Sequence, residues 1–341
     1  MSFDKCDCPI SSTYCNNLNR MMTPSLVKFC KSHPSSRSKL YKEPIIFSED
    51  RVTSHQFKKV SDIPIDCINN LIPKIANADI KFIVGVPRSG MLVASICAVL
   101  LNKPLYTLSS CGNSLIKCSS STSSGGKRMK SHSEAKGDIL FIDDTCYTGA
   151  EMKSIRKKYP DNIYACLYCT PESKSLVDFY GIELASPHYL EWHFFNSYFT
   201  ETAMFDLDGI FCPDVPDNIC EDEKLYVNFI NTVEPIHFRI PRSNTCMSIV
   251  TARLEKYRDI TETWLKNNNI RYNQLYMYPF DKSFRDASFI KNVSKYKGDI
   301  FLKSRAKIFI ESDDLLANKI SVYTQGKTVV CPNSGKIYYA R

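Results

Sequence analysis

Phe141-Ile142-Asp143-Asp144-Thr145-Cys146-Tyr147-Thr148-Gly149 is the stretch that decides the fold. The apolar run from Asp138 to Ile142 reads as a buried strand, and Thr148 to Lys158 reads as a helix. The carboxylates therefore stand at a strand's carboxyl end, where open α/β sheets bind ligands. Two adjacent carboxylates can accept hydrogen bonds from the vicinal hydroxyls of a ribose. The backbone N–H groups that follow, with the Thr145 and Thr148 hydroxyls, can surround a phosphate at the positive helix end. Gly149 permits close backbone approach. Asp and Thr are also ordinary helix caps, so this segment alone reads equally well as a capped turn.

The flanking chain continues the alternation. Val60 to Ala76 carries apolar residues at helical spacing, Lys81 to Val86 is a strand, Pro87-Arg88-Ser89-Gly90 a turn, and Met91 to Leu101 an apolar helix. Pro104 to Leu108 and Asn162 to Cys169 are further strands. Strand, turn, helix, strand in this length predicts parallel βαβ units. The turn at Arg88, Ser89 and Gly90 suits a pyrophosphate. Ser109 to Gly137 is rich in Ser, Gly and Lys, and predicts a long loop that is a lid or disordered. Its cations Lys127, Arg128 and Lys130 could close over that pyrophosphate. Residues 1–40 have no periodicity and predict a poorly ordered arm.

A second acidic motif, Met204-Phe205-Asp206-Leu207-Asp208-Gly209, also follows a strand. Two carboxylates so spaced can serve as a nucleophile and a general acid/base for phosphoryl transfer. Calcium loops share the Asp-x-Asp-Gly pattern, so context decides. Cys246 to Val250 is a strand ending at Thr251, Leu254 to Lys266 a helix, Gln274 to Tyr278 a strand, and Asp281 to Phe301 mainly helical with Lys297 in it. Lys307 to Ile310 is a strand that ends in Glu311-Ser312-Asp313-Asp314. A short helix and a strand at Thr328 to Val330 follow.

With 341 residues, two domains are the natural expectation. Hydrophobic residues at 43% and charged residues at 23% describe an ordinary globular protein. No apolar run reaches the roughly eighteen residues of a membrane span. The first residues lack a secretory pattern, so a cytoplasmic protein is expected. The net charge of +8 suits small polyanionic substrates, and the basic residues form no stripe of the kind nucleic acid demands. Fifteen cysteines without a secretion signal argue against a disulfide scaffold. Cys6, Cys8, Cys15 and Cys30 lack paired zinc spacing. Cys166 and Cys169 read as buried thiols on opposite faces of a strand.

The chain from about Val52 to Cys169 resembles the type I phosphoribosyltransferases, whose signature of an apolar strand, two acidic residues and Thr-x-x-Thr-Gly is matched by Ile142 to Gly149. That resemblance implies phosphoribosyl pyrophosphate (PRPP) as donor and a nucleobase as acceptor, with Mg2+ on the pyrophosphate. Asp143 and Asp144 would hold the ribose, and Thr145, Cys146, Tyr147, Thr148 and Gly149 the phosphate. Arg88, Ser89 and Gly90 would lie near the pyrophosphate, with Lys127 and Arg128 in the lid. The Tyr189 to Phe195 segment is read as packing between domains, with a stacking platform for the base as the second reading.

Ala203 to Val330 resembles the haloacid dehalogenase (HAD) superfamily, on the order of Asp206-x-Asp208, Thr251, Lys297 and Glu311 to Asp314. This implies Asp206 as nucleophile, Asp208 as acid/base, and Thr251 and Lys297 on phosphate. It also implies Asp206, Asp208, Glu311 and Asp313 as Mg2+ ligands, with little or no cap. The expected whole is α/β: an arm over 1–40, a phosphoribosyltransferase-like domain over 41–198 with a mobile loop at 109–137, and a HAD-like Rossmannoid over 199–341. Each domain is a mainly parallel sheet flanked by helices. Three functions are open: a transferase with a phosphatase, a PRPP or nucleotide sensor attached to a phosphatase, and a nucleic-acid end phosphatase. The oligomeric state is open too, a homodimer included.

Overall fold

The computed structural model describes residues 14–15, 20–21, 51–54, 56–109, 112–119, 139–220, 222–279 and 287–340. The expected arm over 1–40 falls outside these residues, apart from a two-residue antiparallel pairing of Tyr14–Cys15 with Arg20–Met21. Lys127, Arg128 and Lys130 also lie outside them.

Two short strands come first, β1 (Arg51–Ser54) and β2 (Phe57–Lys58). A helical stretch follows, from α1 (Asp62–Asp66) through a π-helical turn at Cys67–Leu71 to α2 (Ile72–Ile75). It buries Ile63, Cys67, Leu71 and Ile75 against the first sheet. That sheet contains β3 (Phe82–Gly85), β4 (Leu105–Leu108), β5 (Leu115–Ser119), β6 (Ile139–Cys146), β7 (Ile163–Cys169) and β8 (Phe179–Glu183). Their order is β8-β7-β6-β3-β4-β5, parallel except for the antiparallel β4–β5 pair. β6 and β3 are central, and Ile83, Val84, Leu140, Phe141 and Ile142 are fully buried, as a sheet covered on both faces requires. Helix α3 (Gly90–Leu100) approaches closely because Gly85 has no side chain: a Cβ there would stand 2.5 Å from Met91 Sδ.

The second sheet has seven strands: β10 (Ala203–Phe205), β11 (Cys246–Leu254), β12 (Tyr272–Tyr278), β13 (Ile308–Ile310), β14 (Thr328–Cys331) and β15 (Lys336–Ala340), with β1 at the edge. The order is β12-β11-β10-β13-β14-β15-β1. Pairing is parallel from β12 to β14 and antiparallel beyond. Between the sheets, β9 (Tyr189–Leu190) pairs with β2. The chain is therefore mixed α/β, with two mainly parallel sheets flanked by helices.

Several sequence expectations shift. Leu115–Ser119, inside the expected 109–137 loop, is an edge strand; its side chains are mostly exposed, so its polar character masked it. β6 runs on through Asp143 and Asp144 to Cys146, so the carboxylates belong to the strand itself. β11 continues past Thr251 to Leu254, and a 3-10 turn at Glu255–Tyr257 leads into the α-helix that starts at Arg258. β1, expected in the first domain, completes the second sheet. Cys166 and Cys169 are buried free thiols in one cluster with Cys146, not on opposite faces, because β7 ends at Cys169. No helix of the described residues is long and apolar enough to cross a membrane.

Candidate functional site

Two constellations sit at the carboxyl ends of the two central strands. In the first, β6 delivers Asp143 and Asp144, which are 8% and 2% exposed. The Asp144 N–H donates to Asp143 Oδ1 at 2.8 Å. Ser89, in the turn between β3 and helix α3, donates to Asp144 Oδ1 at 2.9 Å. Asp144 Oδ2 receives the Trp192 indole N–H at 2.6 Å and lies 3.1 Å from His193 Nε2. His193 Nε2 is also 3.0 Å from the Ser89 hydroxyl. Burial, then the Asp144 charge, push the Asp143 carboxyl well above the usual carboxylate range. Burial would raise Asp144 as well, but hydrogen bonds from His193, Asp143 and Trp192 outweigh it and bring the group below that range. The two carboxyls are thus driven in opposite directions, Asp143 up and Asp144 down.

Gly90 is required by the approach of helix to strand: a Cβ there would stand 2.8 Å from Asp143 Oδ1 and 2.9 Å from the Ile142 carbonyl. Gly149 takes the left-handed conformation, φ +72°, that turns the chain into helix α4 (Ala150–Lys158). The Thr145 hydroxyl is buried without a hydrogen-bond partner. Cys146 is buried, and the Thr148 hydroxyl accepts from the Ala150 N–H at 3.4 Å. Tyr147 is 43% exposed, and its hydroxyl lies 2.5 Å from that of Ser186. Arg88 is exposed at the turn, its peptide to Pro87 cis. Arg88, Ser89, Gly90 and Asp143 to Gly149 therefore gather at one sheet edge.

Trp192 and His193 were read from the sequence as packing or stacking residues, not as partners of Asp144. They lie on α5 (Glu191–Phe194). No spacing signal ties residues this far apart; only the folded chain does. The neighbouring Phe194 and Phe195 are buried in the core of the second sheet, where Phe195 meets Phe205 of β10 at 6.2 Å between ring centres.

The second constellation starts with Asp206, just beyond β10, whose N–H donates to the Ile310 carbonyl. Two helices, α6 (Asp217–Cys220) and α7 (Glu223–Thr232), lie between β10 and β11, and α8 (Arg258–Asn267) precedes β12. From α9 (Ala287–Lys303), the fully buried Lys297 places Nζ 2.8 Å from Asp206 Oδ2 and 2.7 Å from Glu311 Oε2. Burial opposes the lysine's charge, but the two carboxylates outweigh it and push its pKa up. Burial, then Asp206, push Glu311 well above the carboxylate range.

The other carboxylate oxygens are turned to backbone: Asp206 Oδ1 accepts from Leu207 N–H at 2.8 Å, and Glu311 Oε1 from Ser312 N–H at 3.0 Å. Arg253, 1% exposed, clamps Asp208 through Nε and Nη2 at 3.0 and 2.6 Å. The Thr251 side chain is buried and accepts from the Arg253 N–H at 3.1 Å. Asp313 is the N-cap of α10 (Asp314–Tyr323), accepting from Leu316 N–H at 2.8 Å. Asp314 is tied to Ser334, Lys336 and Tyr338.

Of the sequence-predicted residues, Asp206, Lys297 and Glu311 are in direct contact. Asp208 is paired with Arg253, a partner the sequence reading did not name, and Asp313 acts on its own helix. Among the described residues no group of three or more His, Cys, Asp or Glu is arranged to hold a metal. Magnesium needs less, since it is commonly held by one or two carboxylates plus water. Asp206 and Glu311 are hard oxygen donors; their Oδ2 and Oε2 atoms face Lys297, while Glu311 Oε1 already accepts from the Ser312 N–H and hydroxyl and from the Asp313 N–H. They fit such an ion.

The chain is thus a mixed α/β protein with an acidic constellation at a central strand end of each sheet. No family model matches the chain. Over 126 residues it is 27% identical to a xanthine-guanine phosphoribosyltransferase of Chromohalobacter salexigens, covering 37% of this chain and 75% of that protein. Homology to a phosphoribosyltransferase thus extends over part of the chain. Among solved structures, a purine phosphoribosyltransferase of Pyrococcus horikoshii is 15% identical, covering 39% of this chain and 89% of the other, with a TM-score of 0.29. The xanthine-guanine-hypoxanthine phosphoribosyltransferase of Helicobacter pylori is 15% identical, over 41% and 93%, with a TM-score of 0.30.

Proposed function

We propose that the first site transfers phosphoribose from PRPP to a nucleobase, and that the second is a magnesium-dependent phosphatase acting on a nucleotide or a related ester. The observation that carries the transferase reading is the acid pair at the end of β6. There, an anionic Asp144 is held by Ser89, Trp192 and His193 beside a glycine-turned helix start. Asp143 and Asp144 receive the ribose hydroxyls. Residues Thr145 to Gly149 receive the 5′-phosphate, with the partnerless Thr145 hydroxyl as one donor. Arg88, Ser89 and Gly90 face the pyrophosphate. The base attacks C1 as pyrophosphate leaves, and the chain contributes position and charge stabilisation. The similarity to a xanthine-guanine enzyme makes a purine the acceptor to try first.

The phosphatase reading rests on Lys297 wedged between Asp206 and Glu311 beyond a central strand. Asp206 attacks phosphorus, the ester P–O bond breaks, and the leaving oxygen takes a proton from Asp208. Water then opens the aspartyl-phosphate and returns a proton to Asp208, which Arg253 positions. Thr251 and Lys297 are the phosphate partners. Asp206 and Glu311 would hold the magnesium, which supplies charge neutralisation when bound.

Phosphorus NMR of the protein with PRPP, magnesium and a panel of bases tests both activities. Base-dependent pyrophosphate release, followed by free phosphate as the new nucleotide disappears, is expected. Asp206→Asn should keep pyrophosphate release and stop phosphate release. PRPP intact with every base would overturn the transferase, and loss of both activities in Asp206→Asn would overturn the two-site assignment.

A further inference from the structure

The two sites meet through one buried ion pair. Glu191 opens helix α5 and is 4% exposed; Arg239 is 6% exposed. Arg239 Nε donates to Glu191 Oε1 at 3.0 Å, and the other glutamate oxygen accepts from the Val60 N–H at 3.1 Å. Arg239 Nη1 donates to the Gly209 carbonyl at 3.0 Å and to Asn333 Oδ1 at 3.1 Å. Gly209 belongs to the Asp206 turn and sits at φ +74° against Ser312 and Asp214. On the other side of Glu191, the next two residues are Trp192 and His193, which hold Asp144. One side chain thus grips the second site's turn, and its partner lies next in sequence to the first site's anchors.

We propose that Arg239 and Glu191 are a positioning pair serving both sites, so that occupancy of the Asp206 site changes the hold of Trp192 and His193 on Asp144. The proposal rests on the phosphatase reading of the Asp206 site. A buried pair cannot loosen at one end without leaving an unpaired charge away from water. Movement of the 206–209 turn is therefore passed to α5 as a shift of the whole pair, not absorbed by a slack contact. Phe194 and Phe195 beside it are buried, while a cavity of about 380 Å³ lined by Glu191 and Trp192 gives α5 room to shift. The coupling is reciprocal: a ligand on Asp144 changes affinity at Asp206 by the same factor, typically about 5–150-fold for linked sites.

The chain carries its own reporters. It has two tryptophans, Trp192 on Asp144 and Trp264, whose ring lies 5.8 Å from the Arg253 guanidinium that clamps Asp208. Fluorine NMR of the full chain labelled with 5-fluorotryptophan gives one line per site, assigned with Trp264→Phe. Beryllium fluoride with magnesium mimics a phosphoryl group on an aspartate. It should move both lines in the wild type and neither in Asp206→Asn. In Arg239→Met the Trp264 line should still move and the Trp192 line should not; Arg239→Lys should restore part of the Trp192 response.

Should Arg239→Met fold poorly, Asn333→Ala removes one of the two Arg239 Nη1 partners and a donor to the Gly209 carbonyl, and leaves the ion pair whole. It should weaken the Trp192 response. A Trp192 line that never moves while Trp264 does, or that moves equally in Arg239→Met, overturns the proposal and leaves the phosphatase reading standing. A silent Trp264 line in the wild type overturns both.

Discussion

Asp143 and Asp144 are neighbours in the chain, yet their surroundings drive their protons in opposite directions. Asp143, raised by burial and by the Asp144 charge, favours the folded state below the unfolded carboxylate value near 4. That contribution is lost as pH rises through its native value. Asp144 behaves oppositely: its contribution is present above the unfolded value and lost as pH falls through its native one. Asp143→Asn keeps an acceptor for the Asp144 N–H and removes the titration. It should raise the melting temperature at pH 8 by about 1–3 °C, with the gap narrowing toward pH 5. Thermal melts across that range check it, and a lower melting temperature at pH 8 would refute the assignment.

Lys297 makes the corresponding case in the second site. Lys297→Met leaves Asp206 and Glu311 facing each other without a cation and should cost about 3–5 kcal/mol by urea unfolding. Adding Glu311→Gln should recover part of that loss; no recovery would mean the lysine acts by packing alone. At this scale the sequence was legible where a motif is local. Asp143, Asp144 and Asp206 were named from local pattern, and Lys297 from the order of the HAD motifs. Trp192, His193, Arg239 and Arg253 were not, because their partners lie tens of residues away and only tertiary packing brings them together.

At the scale of elements, the alternation of apolar strand and helix was readable because buried parallel strands are nearly continuous apolar runs. In the two large sheets the strands missed were the edges β5, β8 and β1, with β15 next to β1. β5 is almost wholly exposed, β8 is half polar, and β1 and β15 mix charged, aromatic and aliphatic residues. Helix α3 shows how an element positions chemistry. Its first residue, Gly90, sits against the Asp143 backbone and carboxylate, so the methyl of Gly90→Ala has no flexible neighbour to displace. The helix must lift from the sheet, carrying Ser89 away from Asp144. Gly90→Ala should lose about 1–3 kcal/mol of stability and also weaken PRPP binding, read by calorimetric titration. Unchanged PRPP affinity in a folded Gly90→Ala protein would show that the seating of this helix does not set the acid pair.

For the whole molecule, the boundary between domains is legible along the chain but not in space. A change of motif near Thr200 marks the second sheet's entry, yet β1 precedes the entire first sheet in sequence and closes the far edge of the second. It pairs antiparallel with β15 in the register Val52 to Tyr339, Thr53 to Tyr338 and Ser54 to Ile337. Nearby, the Phe57 N–H donates to the Gly335 carbonyl at 3.0 Å, and β2 pairs with β9 between the sheets. No local pattern announces such pairing, since its strength lies in backbone hydrogen bonds between distant segments.

Removing residues 1–55 should therefore damage the second sheet and spare the first. β15 would lose its partner and present an open edge beside buried Ile337 and Tyr338. Exposed edges recruit other chains, so the shortened protein should self-associate with rising concentration in light scattering. Its phosphatase site should melt at lower temperature than in the full chain, while PRPP binding at β6 persists. A shortened chain that stays monomeric with the full chain's melting temperature would show that β1 is a passive edge. One that loses PRPP binding first would show that the two sheets depend on each other through the Glu191–Arg239 junction more than through β1.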